Sequence, residues 1–228
     1  MKRIKGVIFD LDGTLIDSMW FWGDAAMEYL RSRGKTPKPG IREVLRPFNT
    51  IEEAQYYVDE YGVDLPLEEI IEGRDSIMLR FLKTEIELKR GVRTVIETLK
   101  ENDIKMCIAT ATDRLLVEAS IKRHGIENYF EKIFTCTEER TSKKYPDIYF
   151  SAAKFLGTDA DETLVVEDAL YAMETAKKAG FVVAGVYDKV SEDHQEKIKA
   201  LCDYYFVNMD EMQIVKNKQS SVYIDIPT

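Results

Sequence analysis

The stretch Gly6-Val7-Ile8-Phe9-Asp10-Leu11-Asp12-Gly13-Thr14-Leu15-Ile16-Asp17-Ser18 decides how this chain is read. A short uncharged run rich in β-formers ends in two carboxylates one residue apart. Residues 6–9 read as a buried strand with Asp10 at its carboxyl end. A bare Asp-x-Asp-Gly also occurs as an acidic turn or in a calcium loop. This one follows a buried strand and lacks the ligand spacing of a helix–loop–helix calcium site.

Further strands of the same kind lie downstream. Residues 104–109 end at Thr110, 163–166 end at Glu167 and Asp168, and 181–187 end at Asp188. Residues 204–207 and 133–134 are weaker candidates. Helical patterns separate them at 94–100, 113–124, 146–156 and 169–179. The third opens on Pro146 and stops before Gly157, the expected asymmetry of helix ends. Strands alternating with helices imply an α/β fold, a doubly wound, Rossmann-like parallel sheet with right-handed crossovers. Residues 18–88 break the pattern. They carry helical periodicity, no convincing strand, and the aromatics Trp20, Trp22, Tyr56, Tyr57 and Phe81 at helical spacing. The expected organisation is a core of residues 1–17 and 89–228 with an inserted helical cap at 18–88. The tail after Gln213 turns β-like at Val222-Tyr223-Ile224 and receives no role.

Composition narrows the function. The chain has 228 residues, 45% of them hydrophobic, enough for a substantial core. Its net charge is −9, so nucleic acid and anionic membrane are poor partners, both needing a clustered positive surface. Cys107, Cys136 and Cys202 are odd in number and in no CxxC pair. His124 and His194 are isolated. Neither a disulfide framework nor a zinc site follows. With no long apolar run and no signal peptide, a cytoplasmic location is expected.

The carboxyl ends of parallel strands form the active crevice of such sheets. Asp10, Asp12, Thr110, Glu167 and Asp168 all stand at strand ends. Four carboxylates brought together repel unless a divalent cation offsets them, and an oxygen-only ligand set selects a hard ion such as Mg2+.

The run from Asp10 to Ser18 resembles the first motif of the haloacid dehalogenase superfamily. Thr110 after Met106-Cys107-Ile108-Ala109 resembles the second, Lys143 before Pro146-Asp147 the third, and Glu167-Asp168 after Val165-Val166 the fourth. The insertion is similar to the cap of the group holding phosphoglycolate phosphatases and β-phosphoglucomutases. The resemblance implies Asp10 as nucleophile, Asp12 as general acid and base, and Lys143 as charge-offsetting catalytic group. Thr110, Ala111 and Lys143 would bind the substrate phosphate. Asp10, the Asp12 backbone carbonyl, Asp168 and, through water, Glu167 would hold Mg2+. The expected activity is that of a monomeric phosphatase acting on a small phosphorylated metabolite through an aspartyl-phosphate. A sugar-phosphate mutase is the nearest alternative, and a catalytically dead metabolite-binding regulator a more distant one. Mutases of this group carry a histidine where this chain has Trp22, and a Ser-Arg-Glu in the cap where it has Thr50-Ile51-Glu52. Arg42 or Arg46 would have to take the arginine's place.

Overall fold

The computed structural model describes residues 3–45, 48, 50–216 and 222–225. In chain order the elements are β1 (Arg3–Ile4), β2 (Gly6–Phe9), α1 (Met19–Ser32), α2 (Ile41–Leu45), α3 (Thr50–Tyr61) and α4 (Leu67–Thr84). Then come α5 (Val92–Glu101), β3 (Lys105–Thr110), α6 (Arg114–Arg123), β4 (Lys132–Thr135), α7 (Asp147–Leu156) and β5 (Thr163–Glu167). The chain continues with α8 (Leu170–Lys178), β6 (Val182–Val186), α9 (Gln195–Leu201), β7 (Tyr204–Phe206), β8 (Gln213–Lys216) and β9 (Val222–Asp225). They divide between two compact units, Met1–Asp17 with Glu87–Thr228, and Ser18–Ile86.

The larger unit is built on a six-stranded sheet in the order β4-β3-β2-β5-β6-β7, parallel throughout. Its strands are near-continuous apolar runs because helices cover both faces of such a sheet. Val7, Ile8, Phe9, Leu164, Val165 and Val166 are completely buried. The order reverses between β2 and β5, and the chain leaves these neighbouring strands at Asp10 and at Glu167-Asp168. That reversal is where open α/β sheets place their crevice.

The tail, left without a role by the sequence, is structural. β1, β9 and β8 form a small antiparallel sheet in which Arg3 pairs with Tyr223 and Val215 with Tyr223 on the other side. Two residues of β1 are too few for any periodicity to reveal.

The smaller unit has its own core. Ala26, Tyr29, Leu30, Ile41, Ala54, Tyr57, Val63 and Ile70 pack together, drawn from α1 to α4 and the loop between α3 and α4. Of the expected cap aromatics, Tyr57 is buried, whereas Trp20 is 44% exposed. Phe21, between the two tryptophans, is completely buried and stacks on Phe81 at 3.7 Å between ring centroids. Arg74 is buried beside Glu53 (3.0 Å) and Asp75, with its guanidinium over the Trp22 ring. Arg42 pairs with Asp24, and Arg46 lies outside the described residues.

The ends of the larger unit's two segments meet as a short antiparallel ribbon. The Asp17 N–H donates to the Glu87 carbonyl at 2.9 Å and the Lys89 N–H to Leu15 at 3.0 Å. Ile16 and Leu88 form a bridge between these contacts.

Candidate active site

The Asp10 N–H still donates to Val166 (3.0 Å), so its backbone is fixed by the neighbouring strand. Beyond it the chain folds tightly. The N–H groups of Thr14, Leu15 and Ile16 all point at the Leu11 carbonyl, at 3.3, 2.8 and 3.0 Å. Gly13 takes φ 77°, a left-handed conformation that glycine adopts without penalty.

Asp10, Glu167 and Asp168 each offer a carboxylate oxygen within 4.8 Å of the others, and all three are buried. Lys143, 4% exposed, reaches into this group from the loop before α7. Its ammonium pairs with Asp10 and donates to Glu167 Oε1 at 2.5 Å. Burial alone would lower the Lys143 pKa, but the Asp10 and Glu167 charges outweigh it and hold it well above its ordinary value. Burial, then the Asp10 charge, push Glu167 up to about 7. Burial, then Glu167, Asp10 and Asp188, push Asp168 well above the ordinary carboxylate range. One lysine does not offset three buried carboxylates.

Glu167 Oε2 is buried and has no hydrogen-bond partner among the described residues. An orphaned carboxylate oxygen within an oxygen-only acidic cluster fits a hard divalent cation, which supplies the missing charge and organises ligands around it.

Asp12 is held differently. Its Oδ2 accepts a 2.5 Å hydrogen bond from Thr112 Oγ1. The Thr112 N–H in turn donates to Thr110 Oγ1 at 3.1 Å. Thr110 is buried at the end of β3, and Ala111, next to it, is exposed. The predicted residues therefore form two groups. Asp10, Lys143, Glu167 and Asp168 make a charged cluster, while Asp12 is tied to the β3 end.

Sequence reasoning missed Thr112, although Thr110-Ala111-Thr112 repeats a hydroxyl two residues past the strand end. It also missed Tyr149, whose hydroxyl donates to Glu167 Oε1 at 3.2 Å. No local signal marks a tyrosine in the first turn of α7 as part of a site.

The haloacid dehalogenase-like hydrolase profile matches residues 7–186, most of the chain. The chain belongs to that family. Among its curated relatives is YhcW of Bacillus subtilis, named provisionally as a phosphatase. It is 26% identical over 212 residues, 88% of this chain and 93% of that protein. A phosphorylated carbohydrates phosphatase of Thermotoga maritima is 27% identical over 187 residues, covering 78% of this chain and 82% of its own. CbbY of Rhodobacter sphaeroides, solved in complex with phosphate, superposes with a TM-score of 0.80 at 23% identity, over 91% of this chain and 96% of that one. That likeness speaks to the fold. With phosphatases recurring among its relatives, this family member is a hydrolase of the phosphatase kind.

Among the described residues no helix is long and apolar enough to cross a membrane.

Proposed function

We propose that this enzyme hydrolyses a small phosphorylated metabolite, with Mg2+ as cofactor, by way of a phosphoryl group carried on Asp10. The observation that carries the reading is the Lys143 ammonium paired with both Asp10 and Glu167 beside Asp168, at the ends of β2 and β5. Such a cluster supplies an anionic nucleophile within a site that accepts more positive charge.

Asp10, the Asp12 backbone carbonyl and Asp168 would hold the ion, with Glu167 acting through water. The ion's chemistry is to offset the charge of the phosphoryl oxygens and of the carboxylates that approach them. Asp10 attacks phosphorus, an Asp10 O–P bond forms, and the bond to the leaving oxygen breaks. Asp12 gives that oxygen its proton. In the second half, Asp12 takes a proton from water, the water oxygen bonds to phosphorus, and the Asp10 O–P bond breaks to release phosphate. Each use of Asp12 contributes about 10²–10⁴-fold. Thr112 orients Asp12 for both steps. Thr110 and Ala111 bind phosphoryl oxygens, and Lys143, paired with Asp10, balances developing charge.

Trp22 in place of a histidine, and the commitment of Arg42 to Asp24, favour hydrolysis over transfer to a second phosphate site. The carbohydrate phosphatase among the relatives makes phosphorylated sugars the first class to assay.

The test is turnover of a generic phosphate monoester by the wild type and Asp10→Asn, with and without Mg2+. The expected result is Mg2+-dependent hydrolysis that falls at least about 10³-fold in a folded variant. Undiminished hydrolysis by folded Asp10→Asn, or full wild-type activity after exhaustive chelation, overturns the proposal.

A further inference from the structure

Lys89 follows directly on the ribbon that joins the two ends of the larger unit's segments. Its side chain turns inward, with an exposure of 14%. The ammonium donates to the Gly13 carbonyl at 2.7 Å, to the Tyr187 carbonyl at 2.6 Å and to Asp188 Oδ2 at 2.8 Å. All three of its hydrogens are thereby used. Asp188 is 4% exposed, and its other oxygen accepts from the Val190 N–H at 2.9 Å.

The three acceptors belong to different parts of the crevice. Gly13 is the residue after Asp12, in the tight turn beyond β2. Tyr187 and Asp188 follow β6, the next strand beyond β5. The ammonium thus joins the Asp12 turn to the sheet from the side opposite to Thr112, which holds the Asp12 carboxylate. A carbonyl bonded to a buried cation is fixed more firmly than one bonded to water, because charge-assisted hydrogen bonds are the stronger kind and one partner is already immobilised. Within the turn the Gly13 N–H donates to Ile16 and those of Thr14, Leu15 and Ile16 point at Leu11, and from outside it the Lys89 backbone N–H donates to the Leu15 carbonyl at 3.0 Å.

We infer that Lys89 is a positioning residue, which clamps the turn carrying Asp12 against the end of β6 so that Asp12 can serve as proton donor and acceptor. The inference rests on the phosphatase reading above. Lys89 bonds the Asp12 turn rather than the charged cluster, so its direct link to the chemistry is through Asp12; its other partner, Asp188, acts on Asp168 through charge, and the Asp188→Asn variant separates that route. The two proton transfers are where its loss is felt. Forming the bond from Asp10 to phosphorus, when the leaving group needs no proton, is not.

The experiment uses the full-length chain with Mg2+ and compares an aryl phosphate bearing a good leaving group with an alkyl phosphate. Wild-type turnover and loss of turnover in Asp10→Asn are measured first, so failure of the phosphatase reading is seen separately. In Lys89→Met the first-turnover burst with the aryl phosphate should stay within about 3-fold of wild type. Steady-state kcat on the alkyl phosphate should fall about 10–100-fold, within the range that proton transfer contributes. KM should change little. A general loosening of the fold would lower the burst and both kcat values together.

Lys89→Met leaves Asp188 buried without its cation, and that charge alone can prevent folding. Lys89→Met/Asp188→Asn removes it and should give the same split between burst and alkyl kcat. Asp188→Asn alone keeps both carbonyl acceptors and should lose less than 5-fold. Wild-type alkyl turnover by a folded Lys89 variant overturns the inference, as does parallel loss of burst and both turnover rates in the double variant.

Discussion

At the scale of single residues, Asp168 and Glu167 are neighbours, both with pKa values pushed up by burial and like charge, but with different partners. Glu167 has two donors, Lys143 at 2.5 Å and Tyr149 at 3.2 Å, so its removal strips a buried lysine of one partner. Asp168 is held amid like charges, with burial and the carboxylates of Glu167, Asp10 and Asp188 all disfavouring its ionised form. Its folded pKa lies above the ordinary 3.8 of the unfolded chain, so its cost to stability is absent below that value and grows as pH rises above it. Asp168→Asn should therefore raise the melting temperature of the chelated protein at pH 7.5 and leave it nearly unchanged at pH 4. Glu167→Gln, which keeps an oxygen acceptor for Lys143 and Tyr149 but gives up the Lys143 ion pair, should raise it less. In activity the order reverses. Asp168→Asn should raise the Mg2+ concentration for half-maximal turnover at least about 10-fold, and more than Glu167→Gln does. Calorimetry in chelator and a Mg2+ titration of activity check both parts. A lower melting temperature for chelated Asp168→Asn at pH 7.5 would show that the carboxylate is stabilised by a contact outside the acidic group.

The site was legible where chemistry is written locally. Asp10 and Asp12 declare themselves as two carboxylates separated by one residue after a buried strand, whereas Lys143 declares itself only through its resemblance to the family's third motif. Thr112, Tyr149 and Lys89 do not, because each acquires its role from a partner far away in sequence. Thr112 meets Asp12 across 100 positions and Lys89 meets Asp188 across 99.

At the scale of elements, the six core strands and the helices α5 to α8 could be read because each is a local patterned run with turn signals at its ends, whereas the seven-residue α9 was not read from the sequence. The antiparallel sheet of β1, β9 and β8 could not, since it joins the two ends of the chain and β1 has only two residues. The start of α5 shows a further constraint that no periodicity reveals. Gly91 caps this helix at φ 85°, and the Met209 N–H donates to the Arg90 carbonyl at 3.0 Å, drawing two stretches of backbone together. A Cβ at Gly91 would stand 2.1 Å from the Asp210 nitrogen and 2.7 Å from the Met209 carbonyl carbon. Neither can rotate away, as a side-chain tip would. Gly125 has a similar φ of 60° but meets nothing within 4 Å. Gly125→Ala should cost about 1 kcal/mol, the conformational penalty alone. Gly91→Ala adds overpacking and should cost about 2–4 kcal/mol. Urea denaturation of the two variants measures the difference. Equal losses would mean that the Met209–Asp210 turn yields without resistance.

At the scale of the whole molecule, the smaller unit contributes none of the charged cluster and buries its own core of Tyr29, Leu30, Tyr57 and their neighbours. The larger unit's two segments, for their part, end side by side, with Asp17 N–H bonded to Glu87 at 2.9 Å and Lys89 N–H to Leu15 at 3.0 Å. Two strands meeting in this way need only a short turn to close them. Replacing residues 18–86 by Asn-Gly should therefore leave a chain that folds, because the six-stranded sheet loses no strand and its hydrophobic cluster loses no member. Under the proposed mechanism hydrolysis depends on groups the shortened chain retains, and recognition of the rest of the substrate would fall to the part removed. The shortened protein should hydrolyse acetyl phosphate with kcat/KM within about 10-fold of the full chain. Its ratio of kcat/KM for the preferred sugar phosphate over acetyl phosphate should fall by at least about 100-fold, or roughly 2.7 kcal/mol of differential binding. Measuring both substrates on both proteins, with circular dichroism to establish folding, decides the matter. A folded shortened chain that keeps the full preference would place substrate recognition in the loops at the strand ends, and one that loses acetyl phosphate hydrolysis entirely would make the insertion part of the chemical machinery.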